Sequence, residues 1–154
     1  MIWAEQIDLE GVPNLHRVSE NLYRSAQPTT TGFHNLKKLG VFTVFNLRSF
    51  HHDPEIIGMK MLNIDCKAWH PEKEDVILFL KYVRNTVSPI LIHCQHGADR
   101  TGVMCALYRT LRQGWDADEA VKELVHGGFG FHGIWFELAP FVRAMTEELK
   151  DANI

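Results

Sequence analysis

Apolar positions along the chain alternate between two spacings. Val41–Leu47 (VFTVFNL) gathers β-branched and aromatic residues into a nearly unbroken run and predicts a buried strand. Ile90–His93 (ILIH) is a shorter run of the same kind, and Leu22-Tyr23-Arg24 and Lys60–Ile64 (KMLNI) are further strand candidates. Between them the period changes. Val76, Leu80, Val83 and Val87 recur at helical spacing, predicting a helix over 74–87 that Ser88-Pro89 ends. Thr29–Thr31 offer N-caps for a helix that reaches Leu39 and stops at Gly40. A Gly-containing turn after the ILIH run leads into a helix over 101–113. Asp116-Ala117-Asp118-Glu119 reads as a capping box, with Asp116 as cap and Glu119 reaching back, for a helix to about Val125. Gly127-Gly128-Phe129-Gly130 breaks that helix, and a last one covers 134–149, kinked or restarted at Pro140. Strands alternating with helices predict an α/β fold with a central, mostly parallel sheet flanked by helices. Residues 1–154 read as a single domain, with about the first 20 packing on it as an extension.

Composition narrows the function classes. With 45% apolar and 23% charged residues the chain is an ordinary globular sequence, and no apolar run approaches a membrane span. Sixteen Lys and Arg against nineteen Asp and Glu give a net charge of −3, a poor basis for nucleic-acid binding. Three cysteines, Cys66, Cys94 and Cys105, are too few for a disulfide scaffold, and an odd count leaves a free thiol. The stretch Met1-Ile2-Trp3-Ala4-Glu5 shows no basic region followed by an apolar core. The expectation is therefore a cytoplasmic protein, or a periplasmic one if Met1 replaces a removed leader.

The chemistry concentrates in His93-Cys94-Gln95-His96-Gly97-Ala98-Asp99-Arg100-Thr101-Gly102, between a predicted strand and a predicted helix. A tight turn feeding a helix N-terminus collects backbone N–H groups into an anion site, and Gly97 lets the chain curl inward. Arg100 offers two parallel hydrogen bonds to a tetrahedral oxyanion. Helix N-termini and nearby cations favour the thiolate form of a cysteine. One loop thus receives a phosphate dianion and presents Cys94 as nucleophile, which implies phosphoryl transfer through a cysteinyl-phosphate.

His-Cys, five residues, then Arg-Thr-Gly matches the signature of the cysteine-dependent protein tyrosine phosphatase superfamily. The chain resembles its small bacterial dual-specificity members, also in Asn21–Pro28 (NLYRSAQP) and Val44–Arg48 (VFNLR). The resemblance implies the phosphatase fold and hydrolysis of phosphotyrosine, and of phosphoserine or phosphothreonine in a shallow pocket, with no metal or other cofactor. It makes Cys94 the nucleophile and Arg100 the phosphate clamp. Thr101 would help the thiolate leave, and His93 would orient the loop. Gln95, His96, Gly97, Ala98, Asp99 and Arg100 would bind the phosphoryl group, and free phosphate or sulfate as well. The implied partner is a phosphorylated protein or peptide, or a small phosphomonoester. A phosphoinositide or small-molecule phosphatase is the alternative, although His96 is the loop's only added cation. A non-catalytic phospho-binding module is a further alternative, and rhodanese-like sulfur carriers also curl a loop around a cysteine.

The leaving group needs a proton, and the family supplies an aspartate some thirty residues before the cysteine. Asp65 lies 29 residues before Cys94 and is the first candidate, although family members place the acid a few residues deeper, where this chain has Lys67, Ala68, Trp69 and His70. Asp99 is the second, because myotubularin-like lipid phosphatases also carry an aspartate directly before the loop arginine. Glu72, Glu74 and Asp75 read as acids offsetting a helix dipole. Cys66 reads as a plain thiol rather than a disulfide partner of Cys94, Cys105 as core, and Arg48 as one half of a structural ion pair. Phe129, Phe131, Trp135 and Phe136 read as packing around the Gly-rich turn. The nine histidines show no metal-ligand spacing.

Overall fold

The computed structural model describes residues 1–67, 70–133 and 137–154. Among these the chain runs β1 (Glu5–Gln6), β2 (His16–Ser19), β3 (Leu22–Ser25), α1 (Thr30–Lys38), β4 (Thr43–Asn46), β5 (Lys60–Asn63), α2 (Lys73–Asn85), β6 (Ile90–His93), α3 (Arg100–Arg112), α4 (Ala117–His126) and α5 (Leu138–Leu149). They form one sheet in the order β1-β2-β3-β6-β4-β5. The pairs β3–β6, β6–β4 and β4–β5 are parallel, and the two pairs made by β2 are antiparallel. The expected mostly parallel sheet flanked by helices is the one that forms.

Strand alternation divides the core between the two faces. Tyr23, Val44 and Leu91 point to one face and pack with Phe33 and Leu36 of α1. Leu22, Phe45, Ile90 and Ile92 point to the other and meet α2, α3, α4 and α5. Both faces are covered, so β3, β4 and β6 are buried at every position. α3 is the central helix, with every residue from Thr101 to Thr110 buried.

Several expectations change. Residues 1–20 do more than pack on the domain, since they add β1 and β2 to one sheet edge, and the backbone N–H of Ala4 donates to Glu123 on α4 at 2.7 Å. Glu123 is also gripped by both guanidinium arms of buried Arg109, at 2.8 and 2.9 Å. The capping box is half made. Asp116 accepts from the Asp118 N–H at 2.7 Å, but Glu119 accepts from the Trp3 indole at 3.0 Å instead of reaching back. A tertiary donor thus competes successfully with the local one. α5 begins at Leu138, and Pro140 sits in its first turn, where an N–H would have no intrahelical acceptor, so no kink is required. The expected start of that helix at Ile134, and Trp135 and Phe136, lie outside the described residues. Among the described residues no helix is long and apolar enough to cross a membrane.

The parallel strands place the site. β3, β6 and β4 run side by side, and Ser25, His93 and Asn46 are paired across their carboxyl ends. The loop after β6 therefore emerges at the middle of the sheet, flanked by the chain leaving β3 and the chain leaving β4. The carboxyl ends of parallel strands are where open α/β sheets offer a crevice.

Candidate active site

Residues 94–99 curl between β6 and α3, and the placement of their carbonyls explains why. Gln95 O accepts from the Gln27 backbone N–H at 3.1 Å, and His96 O from Asn14 Nδ2 at 3.1 Å. Gly97 O and Ala98 O accept from Arg24 Nη2 at 2.9 and 3.5 Å. In a planar trans peptide the N–H points opposite to the C=O. Four carbonyls held outward therefore turn the N–H groups of His96, Gly97, Ala98 and Asp99 inward. The Gly97 N–H meets Cys94 Sγ at 3.2 Å. The result is a concave nest of amides with the sulfur among them, built on the N-terminus of α3.

Gly97 is needed for this curl. Its φ is +75°, and a Cβ there would stand 2.5–2.6 Å from the Ser25 and Ala26 backbone. Arg24 is only 1% exposed, and its guanidinium lies 3.6 Å from the centroid of Phe129 in the Gly-rich segment. Phe129 thus does pack at that turn, as expected, and serves as the lid over Arg24. Within NLYRSAQP no spacing assigns Arg24 a role. Its signal was a charged residue in the middle of an otherwise buried strand.

A second network lies behind Cys94. His93 Nε2 is 2.6 Å from Asp53 Oδ2, and His93 Nδ1 is 3.2 Å from Cys94 O. Gln27 Nε2 donates to Asp53 Oδ1 at 2.9 Å, and Arg48 Nη1 donates to Gln27 Oε1 at 3.0 Å. Arg48 therefore joins a hydrogen-bond chain rather than the expected ion pair. Among the described residues no carboxylate pairs with it. Burial opposes ionisation of Asp53, but the hydrogen bond and charge of His93, with Gln27 and His51, outweigh it and hold the carboxyl below its usual value. A depressed carboxylate stabilises the fold above its unfolded pKa of about 3.9 and loses that contribution as pH falls through the folded value. Urea unfolding of wild type and Asp53→Asn is expected to differ by about 1–3 kcal/mol near neutrality and to converge as pH falls through the depressed value of Asp53. A gap that widens on acidification would overturn this account.

The remaining expected residues are distributed as follows. Gln95 and His96 are exposed on the rim, Gly97 and Ala98 are buried, and Arg100 is half-buried at the start of α3. The hydroxyl of Thr101 is fully buried, with no hydrogen-bond partner among the described residues. Asp65 is exposed beyond the end of β5 and accepts from Asn63 Nδ2 at 3.1 Å. Asp99 is buried, and both its oxygens are taken by His132, a residue the sequence reading left among the scattered histidines. Cys66 and Cys105 are free thiols in the core. Burial pushes them up to about 12 and about 11, and Cys66 lies close enough to feel the charges of Arg100 and Cys94. Burial also raises Asp75, reinforced by Glu72, Glu74 and Asp65, and Asp75 Oδ2 has no partner among the described residues.

The family model for a DSP-PTPase phosphatase fused to NAD+ kinase matches residues 10–134. The chain belongs to this DSP-PTPase family. It is 34% identical over 146 residues to dual specificity protein phosphatase TpbA of Pseudomonas aeruginosa, covering 92% of this chain and 66% of TpbA. It therefore spans just under two thirds of that relative's length. A crystal structure of P. aeruginosa TpbA superposes with a TM-score of 0.83 at 31% identity, covering 96% of this chain and 94% of that one. A cysteine-to-serine variant of TpbA in complex with pTyr superposes with a TM-score of 0.79 at 29% identity, covering 97% of each chain. The core catalytic domain of the PP-IP phosphatase SIW14 from S. cerevisiae shares the DSP-PTPase fold, with a TM-score of 0.73 at 20% identity over 92% of this chain and 95% of that one.

Proposed function

We propose that this chain hydrolyses phosphomonoesters, phosphotyrosine foremost, through a covalent intermediate on Cys94. The observation that carries the reading is the nest: inward amides of His96, Gly97, Ala98 and Asp99 surrounding Cys94 Sγ. Those amides and the Arg100 guanidinium hold the three non-bridging oxygens as charge shifts during transfer. The thiolate of Cys94 forms an S–P bond as the P–O bond to the leaving group breaks, and the leaving oxygen takes a proton. A water then attacks phosphorus, giving a proton to the group that supplied one in the first step, the S–P bond breaks, and the Thr101 hydroxyl donates a hydrogen bond to the departing sulfur. The unpartnered Thr101 hydroxyl fits that role. His93, held by Asp53, fixes the Cys94 carbonyl and so the direction in which the loop starts. The candidate proton donors are exposed Asp65 beyond β5 and the Asp99–His132 pair. The pTyr complex of the TpbA variant supports phosphotyrosine as the substrate class.

The test is hydrolysis of a phosphotyrosyl peptide by the reduced protein in the presence of EDTA, with mass spectrometry of the acid-quenched protein. Turnover that survives the chelator, with one phosphoryl group on the peptide containing Cys94, is the expected result. A folded protein that binds the phosphopeptide without turning it over would establish a binding module instead.

A further inference from the structure

The Gly-rich segment after α4 closes over the phosphate loop through several separate contacts. Asn14 Nδ2 donates both to His96 O in the loop and to Phe129 O in the segment, at 3.1 and 2.9 Å, and so staples the two together. Phe129 stacks on Arg24, which itself holds the loop carbonyls. His132 then grips Asp99 twice: its backbone N–H donates to Oδ1 at 2.8 Å, and its ring Nδ1 lies 2.6 Å from Oδ2. The His132 ring also stands edge-to-face against His96, with centroids 5.4 Å apart.

A carboxylate beside Arg100 in a loop that receives a dianion opposes substrate binding unless another group takes up its charge. His132 is the group in contact with that carboxylate. The contact also fixes the imidazole. Nδ1 faces the ionisable oxygen of a buried carboxylate, so the other nitrogen, Nε2, is the atom free to exchange a proton. The His132 side chain is 47% exposed, and Nε2 has no hydrogen-bond partner among the described residues. Among the described residues, the titratable side chains recorded against it are Asp99 and His96, and Arg100 follows Asp99 in the chain. Asp65, in contrast, is exposed and bonded to its neighbour Asn63.

We propose that His132, oriented by Asp99, is the proton carrier of phosphoryl transfer at Cys94, an assignment that rests on the phosphomonoesterase reading. In the first step the Cys94 sulfur bonds to phosphorus, the P–O bond to the leaving group breaks, and the Nε2 proton of the imidazolium passes to the leaving oxygen. His132 is then neutral, with its Nδ1 proton still held by Asp99. In the second step Nε2 takes a proton from the attacking water, the S–P bond breaks, phosphate leaves and the imidazolium is restored. Asp99 is a positioning residue in this scheme.

The experiment compares kcat/KM for phenyl phosphate, whose leaving group needs a proton, with that for p-nitrophenyl phosphate, whose leaving group hardly does. In His132→Ala the preference for p-nitrophenyl phosphate is expected to rise by about 10²-fold or more, and added imidazole to restore part of the phenyl phosphate rate. His132→Gln, which keeps a side-chain donor for Asp99, should show the same altered preference and guards against misfolding of the alanine variant. Asp99→Asn should shift the preference in the same direction by less. An unchanged preference in both His132 variants, with a large rise in Asp65→Asn, would assign the proton to Asp65 and overturn the proposal. Failure of the wild type itself to hydrolyse either ester would instead remove the phosphatase reading on which it rests.

Discussion

Cys94→Ser is expected to lower kcat/KM for p-nitrophenyl phosphate by more than about 10⁴-fold, the scale on which losing a nucleophile closes a covalent pathway. A hydroxyl is a far weaker nucleophile than a thiolate, and among the described residues no base hydrogen-bonds to Cys94 Sγ. Binding should behave differently. The anion is held by the amides of residues 96–99 and by Arg100, and these depend on carbonyl anchors that Sγ does not supply. Orthophosphate affinity, measured by calorimetry, is therefore expected to stay within about threefold of wild type or to improve, since a neutral hydroxyl repels the dianion less. Loss of binding together with turnover would mean that the sulfur organises the loop. Retained turnover would place the nucleophile elsewhere.

Arg24→Met is expected to weaken both binding and turnover while leaving a folded protein. Two effects on stability oppose each other. The Gly97 carbonyl loses its donor, at about 1–3 kcal/mol for a buried group left unsatisfied, while Ala98 O keeps the Gly102 N–H at 3.1 Å. Against this, a buried guanidinium is replaced by an apolar side chain that needs no desolvation, which is often neutral or favourable. The net loss of stability should be modest. Catalysis has no such compensation. Without Arg24 the peptide plane that aims the Ala98 amide inward loses its anchor, and one misdirected oxyanion donor costs about 10²–10³-fold. A fall in kcat/KM of about 10²–10⁴-fold, with weakened orthophosphate binding, is the expected signature. Lysine should rescue poorly, because one ammonium does not reproduce the two-carbonyl grip or the stack on Phe129. A folded Arg24→Met protein with near wild-type kinetics would show that α3 alone shapes the loop.

These two variants separate what a linear pattern carries from what it does not. Ile90–His93 is legible because four buried residues in a row, bounded by Pro89 and a Gly-containing turn, have no other comfortable home than a central strand. Thr29 is legible as a cap because its hydroxyl reaches Gly32 three residues on. β1 and β2 were not legible, since two and four residues carry too short a pattern, and β2 closes on β3 through an irregular register. Glu119 misled because Trp3, 116 positions away in the chain, captures it.

At the site the same division holds. Cys94, Gly97, Arg100 and Thr101 are neighbours in the chain, and their spacing alone carries the reading of a nucleophile and a clamp within one anion-binding turn. Sequence by itself determined the chemistry class, the strand-loop-helix that carries it and the alternating fold around it, because each rests on interactions within a few residues. Only the tertiary structure decided what holds the turn open and what stands over it. Asn14, Arg24, Asp53 and His132 come from four separate segments, and each meets the loop from at least thirty residues away in the chain. Local spacing says nothing about such partners. They are chosen by the requirement that every buried carbonyl and carboxylate find a donor, and folding alone brings those donors within reach.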